Sequence, residues 1–430
     1  VTMSAYWVTA IRNWDTMSTN RFGCVVQDLT VQSFSAYPII LAGLPGVVFR
    51  RNRALSIGGR YRFDLSYWEG NGSDIIGGCR NALVEDYYAE CIEDSGMSTQ
   101  PVGATVNGGD QTDVTVRRVV AKDTGIGPIE SVSQLSTGQN LNGVRIEEVD
   151  GTRIRNYEQG ALRPDSVNGG GGGLSFNQGM SGSATPTSIL GGVVVRGLRG
   201  RSRASWLSAR STTRAKVYAD RIVAYNDGTA IPSTFGAAWD IQSAVGAGWD
   251  FYLRNSVAKG TGGGINIHNW GPSGTIDVEN VSFLDLSSGV QNNSQPNKTF
   301  RFKNLLVDNI SGGFLQNAAG ASISSGGGTR SSRVTGALGF TPVGTDSIGL
   351  SIAPTFESGA LGKQAPSSPG LSSGALPTVL LADYNLLPHP VSAPFASGGF
   401  SPATLPASTP APTPAPTPAP TPAPAAVDVY

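Results

Sequence analysis

Short stretches in which apolar and polar residues alternate recur along most of the chain. They share one form, which is a first alternation, a polar pair and a second short alternation, as in TIDVENVSFLDL at 275–286. The other stretches are 24–34, 48–57, 83–92, 114–124, 216–226, 251–261 and 299–310. Alternation with a period of two is typical of strands with one buried face, and almost no stretch follows a helical period. The pattern therefore predicts an all-β chain.

A polar residue stands at the corner between the two halves of each alternation. The predicted corners are Asp28, Asn52, Asp86, Arg118, Asp220, Asn255, Asn280 and Asn304. The closest of these lie about 24 or 25 residues apart, a repeat length that indicates a solenoid. Asn and Asp suit a sharp corner because they tolerate left-handed backbone. We therefore predict a right-handed single-stranded parallel β-helix, with apolar columns inside stacked coils.

Composition divides the chain into three parts. The repeats place the β-helix in 1–350, and 351–400 is an irregular segment rich in Gly, Ser and Pro. The last part, 401–430, repeats Thr-Pro-Ala-Pro, which predicts an extended polyproline II tail because alternate prolines exclude helix and sheet. The tail ends in AAVDVY at 425–430. We expect this short strand to pair with an open sheet edge of another copy, giving a head-to-tail fibre.

Charge and cysteine content narrow the choice of partners. The 31 basic residues balance 31 acidic ones, so nucleic acid is not expected as a partner, and no apolar run is long enough to span a membrane. The three cysteines, Cys24, Cys79 and Cys91, are too few for a disulfide framework. Cys79 and Cys91 either pair across stacked strands or remain separate thiols. Because the chain begins with Val1, we expect a processed or partial chain.

One stretch carries a family resemblance. The sequence AWDIQSAVGAGWDFYLRNSVAKGTGGGINIHNWGPSGTIDVENVSFLD at 238–285 resembles the coils of the pectate lyase superfamily, and more narrowly the family 9 polysaccharide lyases. The similarity covers about 215–315, and elsewhere only the coil pattern is shared. In those lyases a lysine removes a proton α to a uronate carboxylate that calcium, held by clustered aspartates, has acidified.

Two positions depart from the pattern of these lyases. Asn266 stands where the resemblance calls for the lysine base, and an amide cannot act as that base. Asp240 stands alone where an acidic cluster would be expected. The resemblance therefore implies the fold more firmly than the activity. No metal site is predicted, and calcium is expected only if the protein is a lyase after all.

Acidic residues in ALVEDYYAECIEDSG at 82–96 are the first candidates for catalysis. Two carboxylates at a suitable separation could hydrolyse a glycosidic bond or hold calcium. The candidates are Glu85, Asp86, Glu93 and Asp94, with Glu90 between them. The alternative is a solvated acidic edge without a catalytic role.

A histidine, a tryptophan and an arginine run are the remaining candidates. His268 and Trp270 lie where a strand passes into a turn, so they could contact a sugar or, for His268, take part in catalysis; the alternative is an exposed turn. The run VVVRGLRGRSRAS contains the arginines that we assign to ligand binding. They are Arg196, Arg199, Arg201 and Arg203. Guanidinium groups match carboxylate and sulfate, which favours an acidic polysaccharide, although a charged strand edge fits equally well.

Several motifs predict attached glycans. The triplet N-x-S/T begins at Asn71, Asn280, Asn292, Asn297 and Asn309. The threonines of the tail resemble O-glycosylated stalks, and they are Thr409, Thr413, Thr417 and Thr421. Both signals predict an extracellular or cell-surface location.

The sequence favours a glycosylated extracellular protein with a structural or adhesive function, able to associate into a filament. The alternative is a secreted carbohydrate-active enzyme, either a polysaccharide lyase or a glycoside hydrolase, acting on an acidic polysaccharide. A viral tail-spike, which would assemble as a trimer, is the third possibility.

Overall fold

A computed structural model describes the chain in separate ranges. These ranges are 11–14, 23–34, 37–58, 60–61, 68–100, 111–125, 127–131, 141–152, 174–178, 187–196, 207–211, 215–225, 237–243, 249–260, 262–268, 274–293, 298–317, 319–350 and 354. Within them the chain consists of strands, turns and bends, without helices, which confirms the prediction of an all-β chain. The predicted tail at 401–430 lies outside these ranges, as does the segment 351–400 apart from Pro354.

The strands are short near the start of the chain and reach thirteen residues at Gly274–Leu286. In chain order they are β1 (Ile11–Trp14), β2 (Val25–Gln27), β3 (Thr30–Gln32), β4 (Ile39–Ala42), β5 (Val48–Arg50), β6 (Arg53–Ile57), β7 (Arg60–Tyr61), β8 (Trp68–Glu69), β9 (Asp74–Ile76), β10 (Leu83–Ile92), β11 (Ser95–Ser98), β12 (Gln111–Thr112), β13 (Thr115–Thr124), β14 (Gly127–Ser131), β15 (Leu141–Asn142), β16 (Arg145–Thr152), β17 (Leu174–Gln178), β18 (Thr187–Arg196), β19 (Leu207–Ser211), β20 (Ala215–Tyr225), β21 (Ala237–Ser243), β22 (Trp249–Lys259), β23 (Gly263–His268), β24 (Gly274–Leu286), β25 (Ser288–Asn293), β26 (Lys298–Lys303), β27 (Leu306–Ile310), β28 (Leu315–Gln316), β29 (Ser322–Ser325), β30 (Arg330–Val334) and β31 (Ser347–Leu350).

Two large sheets contain most of these strands. The first sheet has 11 strands, in the order β1-β4-β9-β11-β14-β17-β19-β21-β23-β25-β28. The second has 16 strands, with the main path β2-β5-β10-β13-β16-β18-β20-β22-β24-β27-β30-β31. From β16 to β25 successive strands belong alternately to the two sheets, so each strand pairs with the strand two places further on. Pairing in both large sheets is parallel, and β7 with β8 forms a separate antiparallel pair.

The strands of the second sheet bend at residues with positive φ. In β24 the bends lie at Asn280 (φ 55°) and Asp285 (φ 55°), and the next repeat bends at Asn304 (φ 52°) and Asn309 (φ 54°). The two bends are the same distance apart in both repeats. In each repeat, the first bend separates the residues before it from a short segment that lies between the two bends.

The predicted corners largely coincide with the first bends. Positive φ confirms the corners at Asp28, Asp86, Arg118, Asn255, Asn280 and Asn304. The corners predicted at Asn52 and Asp220 are wrong by one residue, because the positive φ lies at Arg51 (φ 53°) and Arg221 (φ 54°). Asn52 is buried, donates to the carbonyl of Val26 and accepts from the amide of Leu29. Its buried side chain therefore joins its own repeat to the preceding one.

The core lies between the two sheets. Phe251, Ile276 and Phe300 are register partners in the second sheet, and each is fully buried. The ring of Trp239 in the first sheet packs edge-on against Phe283 of the second, with centroids 5.9 Å apart. Aromatic edge-to-face contacts of this kind add to the burial of apolar surface. The two sheets therefore share one apolar interior.

Charged residues alternate in sign along one outer row of the second sheet. The row is Arg50, Glu85, Arg117, Glu147, Gly191, Asp220, Arg254, Glu279 and Lys303, each in register with the next. Within it Arg117 donates to Glu85 at 2.7 Å, and Glu279 lies 3.4 Å from Arg254 and 3.6 Å from Lys303. Register partners in adjacent repeats therefore carry opposite charges along this row, except where Gly191 interrupts it.

The two cysteines that could have paired lie in different environments. Cys79 is fully buried, and Cys91 is exposed at a bend with φ 56°. All three cysteines are free thiols, so the pairing of Cys79 with Cys91 is wrong. One thiol faces the interior and the other faces solvent.

Candidate functional site

The outer face of the first sheet carries a row of polar side chains. Asp240, Asn266, Gln291 and Gln316 are consecutive register partners on β21, β23, β25 and β28, and we call them the amide row. Their neighbours in the strands are buried, as Ile265 and Ile267 show on either side of Asn266. The members of the amide row are half-buried and therefore reach the surface. Alternation along each strand is what places them there.

The amide row has the chemistry of a binding surface. A carboxamide both donates and accepts hydrogen bonds, as a sugar hydroxyl does, and parallel strands space these groups about 4.8 Å apart. Asp240 supplies the one carboxylate of the row, and Gln316 also donates to the carbonyl of Gly313 at 3.3 Å. Three amides in succession offer no side chain that can remove a proton from carbon at neutral pH.

The predicted histidine lies on the same strand as one member of this row. His268 is the last residue of β23, in register with Gln242 and Asn293, two positions beyond Asn266. Trp270 lies outside the described residues. The family resemblance had drawn attention to Asn266 and Asp240. Gln291 and Gln316 were not among the residues predicted from the sequence.

Two of the predicted catalytic carboxylates are held by arginines. Glu85 accepts from Arg117 at 2.7 Å and from Arg118 at 2.8 Å, and Asp86 accepts two hydrogen bonds from Arg118. Hydrogen bonds from Arg117 hold the pKa of Glu85 below its usual value, and Arg118 does the same for the pKa of Asp86. A general acid needs the opposite shift. These two carboxylates are therefore suited to an ion-pair network.

The other acidic candidates lie at the far end of β10. Glu93 and Asp94 follow the strand, whereas Glu85 and Asp86 lie near its start, so the strand separates the two pairs. Glu90, between them, accepts a hydrogen bond from the Tyr88 hydroxyl at 2.5 Å. Among the described residues no group of three or more His, Cys, Asp or Glu side chains is placed to hold a metal ion.

The predicted basic run is only partly described. Arg196 is the last residue of β18, in register with Thr152 and Tyr225. Arg199, Arg201 and Arg203 lie outside the described residues. The assignment of this run to an acidic ligand stays a prediction.

The predicted N-glycosylation sites differ in accessibility. Asn71, Asn280 and Asn292 are at most 5% exposed, and each donates from its side-chain amide to another group of the protein. These placements argue against glycan attachment at the three positions in the folded protein. Asn309 is exposed at a bend. Asn297 and the tail threonines Thr409, Thr413, Thr417 and Thr421 lie outside the described residues.

A pair of stacked tyrosines escaped the sequence analysis. The rings of Tyr218 and Tyr252 lie 4.7 Å apart at an interplanar angle of 11°, and Tyr218 is 41% exposed. Burial, followed by the charge of Asp250, raises the pKa of Tyr252. The sequence signal for this pair is a tyrosine at the third position of both KVYAD (216–220) and DFYLR (250–254). An exposed aromatic face on the outside of a sheet can stack against a sugar ring.

Comparisons with known proteins leave the family open. No protein-family model matches the chain, and neither the curated proteins nor the solved structures gave a match. A helix with the length and apolarity of a membrane span does not occur among the described residues.

Proposed function

We propose that the protein is an extracellular structural or adhesive protein that binds a polysaccharide along the amide row without cleaving it. The proposed scaffold is a right-handed, single-stranded parallel β-helix, similar to that of the pectate lyase superfamily. Support for this scaffold comes from the alternation of parallel strands between two sheets and from bends that recur at equivalent positions. Stacked repeats of this kind present long, regular outer faces.

The observation that carries the proposal is the composition of the amide row. Asn266, Gln291 and Gln316 can exchange hydrogen bonds with hydroxyl groups along an extended sugar chain. The row lacks a lysine, and Asn266 occupies the position for which the resemblance implies one. These residue types support binding without bond cleavage.

Location and assembly form the second part of the proposal. Glycans on exposed Asn309 and on the tail threonines would fit a cell-surface or secreted protein. The arginines from Arg196 to Arg203 would favour an acidic polymer. Head-to-tail filaments would form through the terminal strand AAVDVY, and deletion of 425–430 should abolish them.

The test is a binding assay coupled to a product assay. The protein is incubated with pectate, alginate or glycosaminoglycans, with and without calcium, while polymer retention, unsaturated products and new reducing ends are followed. We expect retention without products. The double variant N266A/Q291A should bind about tenfold more weakly, because two hydrogen-bonding groups are lost. Gln32→Ala, which removes an exposed glutamine from the second sheet, is the matched control.

One observation favours the alternative of a polysaccharide lyase or glycoside hydrolase. Asp240 places a carboxylate in register with Asn266, so one acidic group borders the proposed sugar path. Calcium-dependent formation of unsaturated ends, or new reducing ends, lost in Asp240→Asn, would replace the binding proposal by the enzymatic one. Unchanged retention by N266A/Q291A would reject the amide row as the binding surface.

A further inference from the structure

Part of the outer face of the second sheet is buried. Beyond the first bend, the side chains of Val223, Val257, Leu284 and Leu306 are at most 1% exposed, and we call these four residues the covered face. They do not belong to the interior. In β20, for example, Ile222 and Ala224 pack into the core on either side of Val223. Alternation then directs Val223 outward.

Register connects the covered face across successive repeats. Val223 pairs with Val257, and Val257 pairs with Ser282, which pairs with Leu306. Leu284 lies two positions after Ser282, on the same side of β24. Ser282 is also buried, at 1% exposure. The covered face therefore extends without interruption from β20 to β27.

The same outer positions of earlier repeats are only partly covered. Arg53 is exposed, and its successive register partners Tyr88, Val120 and Asp150 are half-buried. Burial of the outer face is thus confined to the later repeats. It coincides with a change from mixed residues to mostly apolar ones, and it continues to fully buried Arg330, the next register partner of Leu306. A specific part of the chain, not the general packing of the sheets, must exclude water there.

The connections that follow β22, β24 and β27 are too short to fold back over the covered face. Strand β24 ends at Leu286 and β25 begins at Ser288, so one residue joins the sheets at that level. Residues 260–262 join β22 to β23, and 311–314 join β27 to β28. Longer connections follow β16 (153–173), β18 (197–206) and β20 (226–236). These three connections are the competing sources of cover.

We propose that the C-terminal segment 376–391 of this chain covers this face. Its sequence, LPTVLLADYNLLPHPV, is the most apolar stretch after β31 and complements an apolar surface. Strand β31 pairs with β30 in the second sheet, so the chain leaves the repeats on the sheet that carries the covered face. An extended segment crosses four strands, about 15–20 Å, with roughly six residues.

Cross-linking in the full chain tests this placement. Cysteines are introduced in pairs, one at Leu306 and one at Leu381, in a background with C24S and C91S; buried Cys79 is kept. We expect roughly tenfold more intramolecular disulfide than for the control pair V120C/L381C, since docking raises the effective concentration of the two thiols. Val120 occupies the same register row in an open repeat.

Three results would overturn the proposal. They are equal yields for the two pairs, disulfides that form only between two copies, and a high yield for L306C with A230C in place of L381C. A second measurement requires no cross-link. Maleimide labelling of L306C should be slow in the otherwise complete chain and should rise roughly tenfold when Leu381→Asp is added, because a carboxylate opposes docking on an apolar face. Rapid labelling without that substitution would also contradict the proposal.

Discussion

The side-chain amide of Asn280 donates to the amide oxygen of Asn255 at 3.1 Å. Asn304 donates to Asn280 at 2.9 Å, and Asn255 donates to the carboxylate of Asp220 at 2.8 Å. The three asparagines are at most 2% exposed and have positive φ. One row of hydrogen bonds therefore fixes the bends of consecutive repeats to each other.

Removing the middle member of this row should destabilise the protein. Asn280→Ala removes one buried hydrogen bond from each of Asn255 and Asn304, which we expect to cost about 1–3 kcal/mol more than the control Asn309→Ala. The control also lies at positive φ, 54°, so both variants share the backbone strain of alanine there. Asn309 is exposed, and the hydrogen bond that it donates to Asp285 at 2.8 Å is exposed as well. Chemical denaturation measures both variants. Equal losses would mean that the buried row contributes no more than an exposed hydrogen bond at a bend.

The arginine-bound carboxylates predict a pH dependence of stability. Arg117 and Arg118 lower the pKa of Glu85 below its ordinary 4.5. Since the folded pKa is the lower one, the pairing stabilises the protein above about pH 4.5 and is lost as the pH falls through the folded pKa. Glu85→Gln should therefore melt below the wild type at pH 7, with the difference shrinking at pH 3. A difference that stays constant between these pH values would contradict the ion-pair role.

The cysteines should differ in reactivity. Burial raises the pKa of Cys79 to about 11, so hardly any thiolate forms at pH 8, and the side chain is also shielded from reagents. We expect iodoacetamide to modify exposed Cys91 in the native protein and to spare Cys79 until denaturant is added. Mass spectrometry of the labelled peptides measures this. Native labelling of Cys79 at the rate of Cys91 would contradict the packing of the early repeats.

A glycine of the first sheet should not tolerate a side chain. A Cβ at Gly264 would overlap the ring of Phe283 and the carbonyl oxygen of Gly289. We expect Gly264→Ala to destabilise the protein by about 1–3 kcal/mol, because the core must shift to make room. Gly344→Ala is the control, since its Cβ would meet nothing within 4 Å. Similar thermal melting of the two variants would argue against this packing.

Much of the fold could be predicted because its signal repeats. Alternation with a polar corner marked the strands, and six corners coincide with bends of positive φ. Arg51 and Arg221 were missed because each has an Asn or Asp beside it, Asn52 and Asp220, and these residue types favour left-handed backbone more than arginine does. Arg51 pairs with Asp28 of the preceding repeat, which only the folded chain brings beside it, whereas Arg221 pairs with Asp220, its neighbour in the sequence.

The sites were harder to predict because they depend on register. A longer connection separates Tyr218 from Tyr252, so the sequence did not show that these two residues lie side by side. Gln291, by contrast, follows Asn266 by 25 residues, the regular repeat length, so its position was accessible from the sequence. The covered face was hidden for another reason. In RIVAY at 221–225, inward and outward positions are both apolar, so alternation gives no signal.

The alternating charges of the second sheet restrict how such a chain can grow or shrink. Deleting the single repeat that contains Glu85 would bring Arg50 beside Arg117, and like charges directly opposite each other are destabilising. Deleting that repeat together with the next would bring Arg50 beside Glu147 and restore attraction. In this part of the protein, the unit that can be duplicated or lost without electrostatic conflict is therefore a pair of repeats.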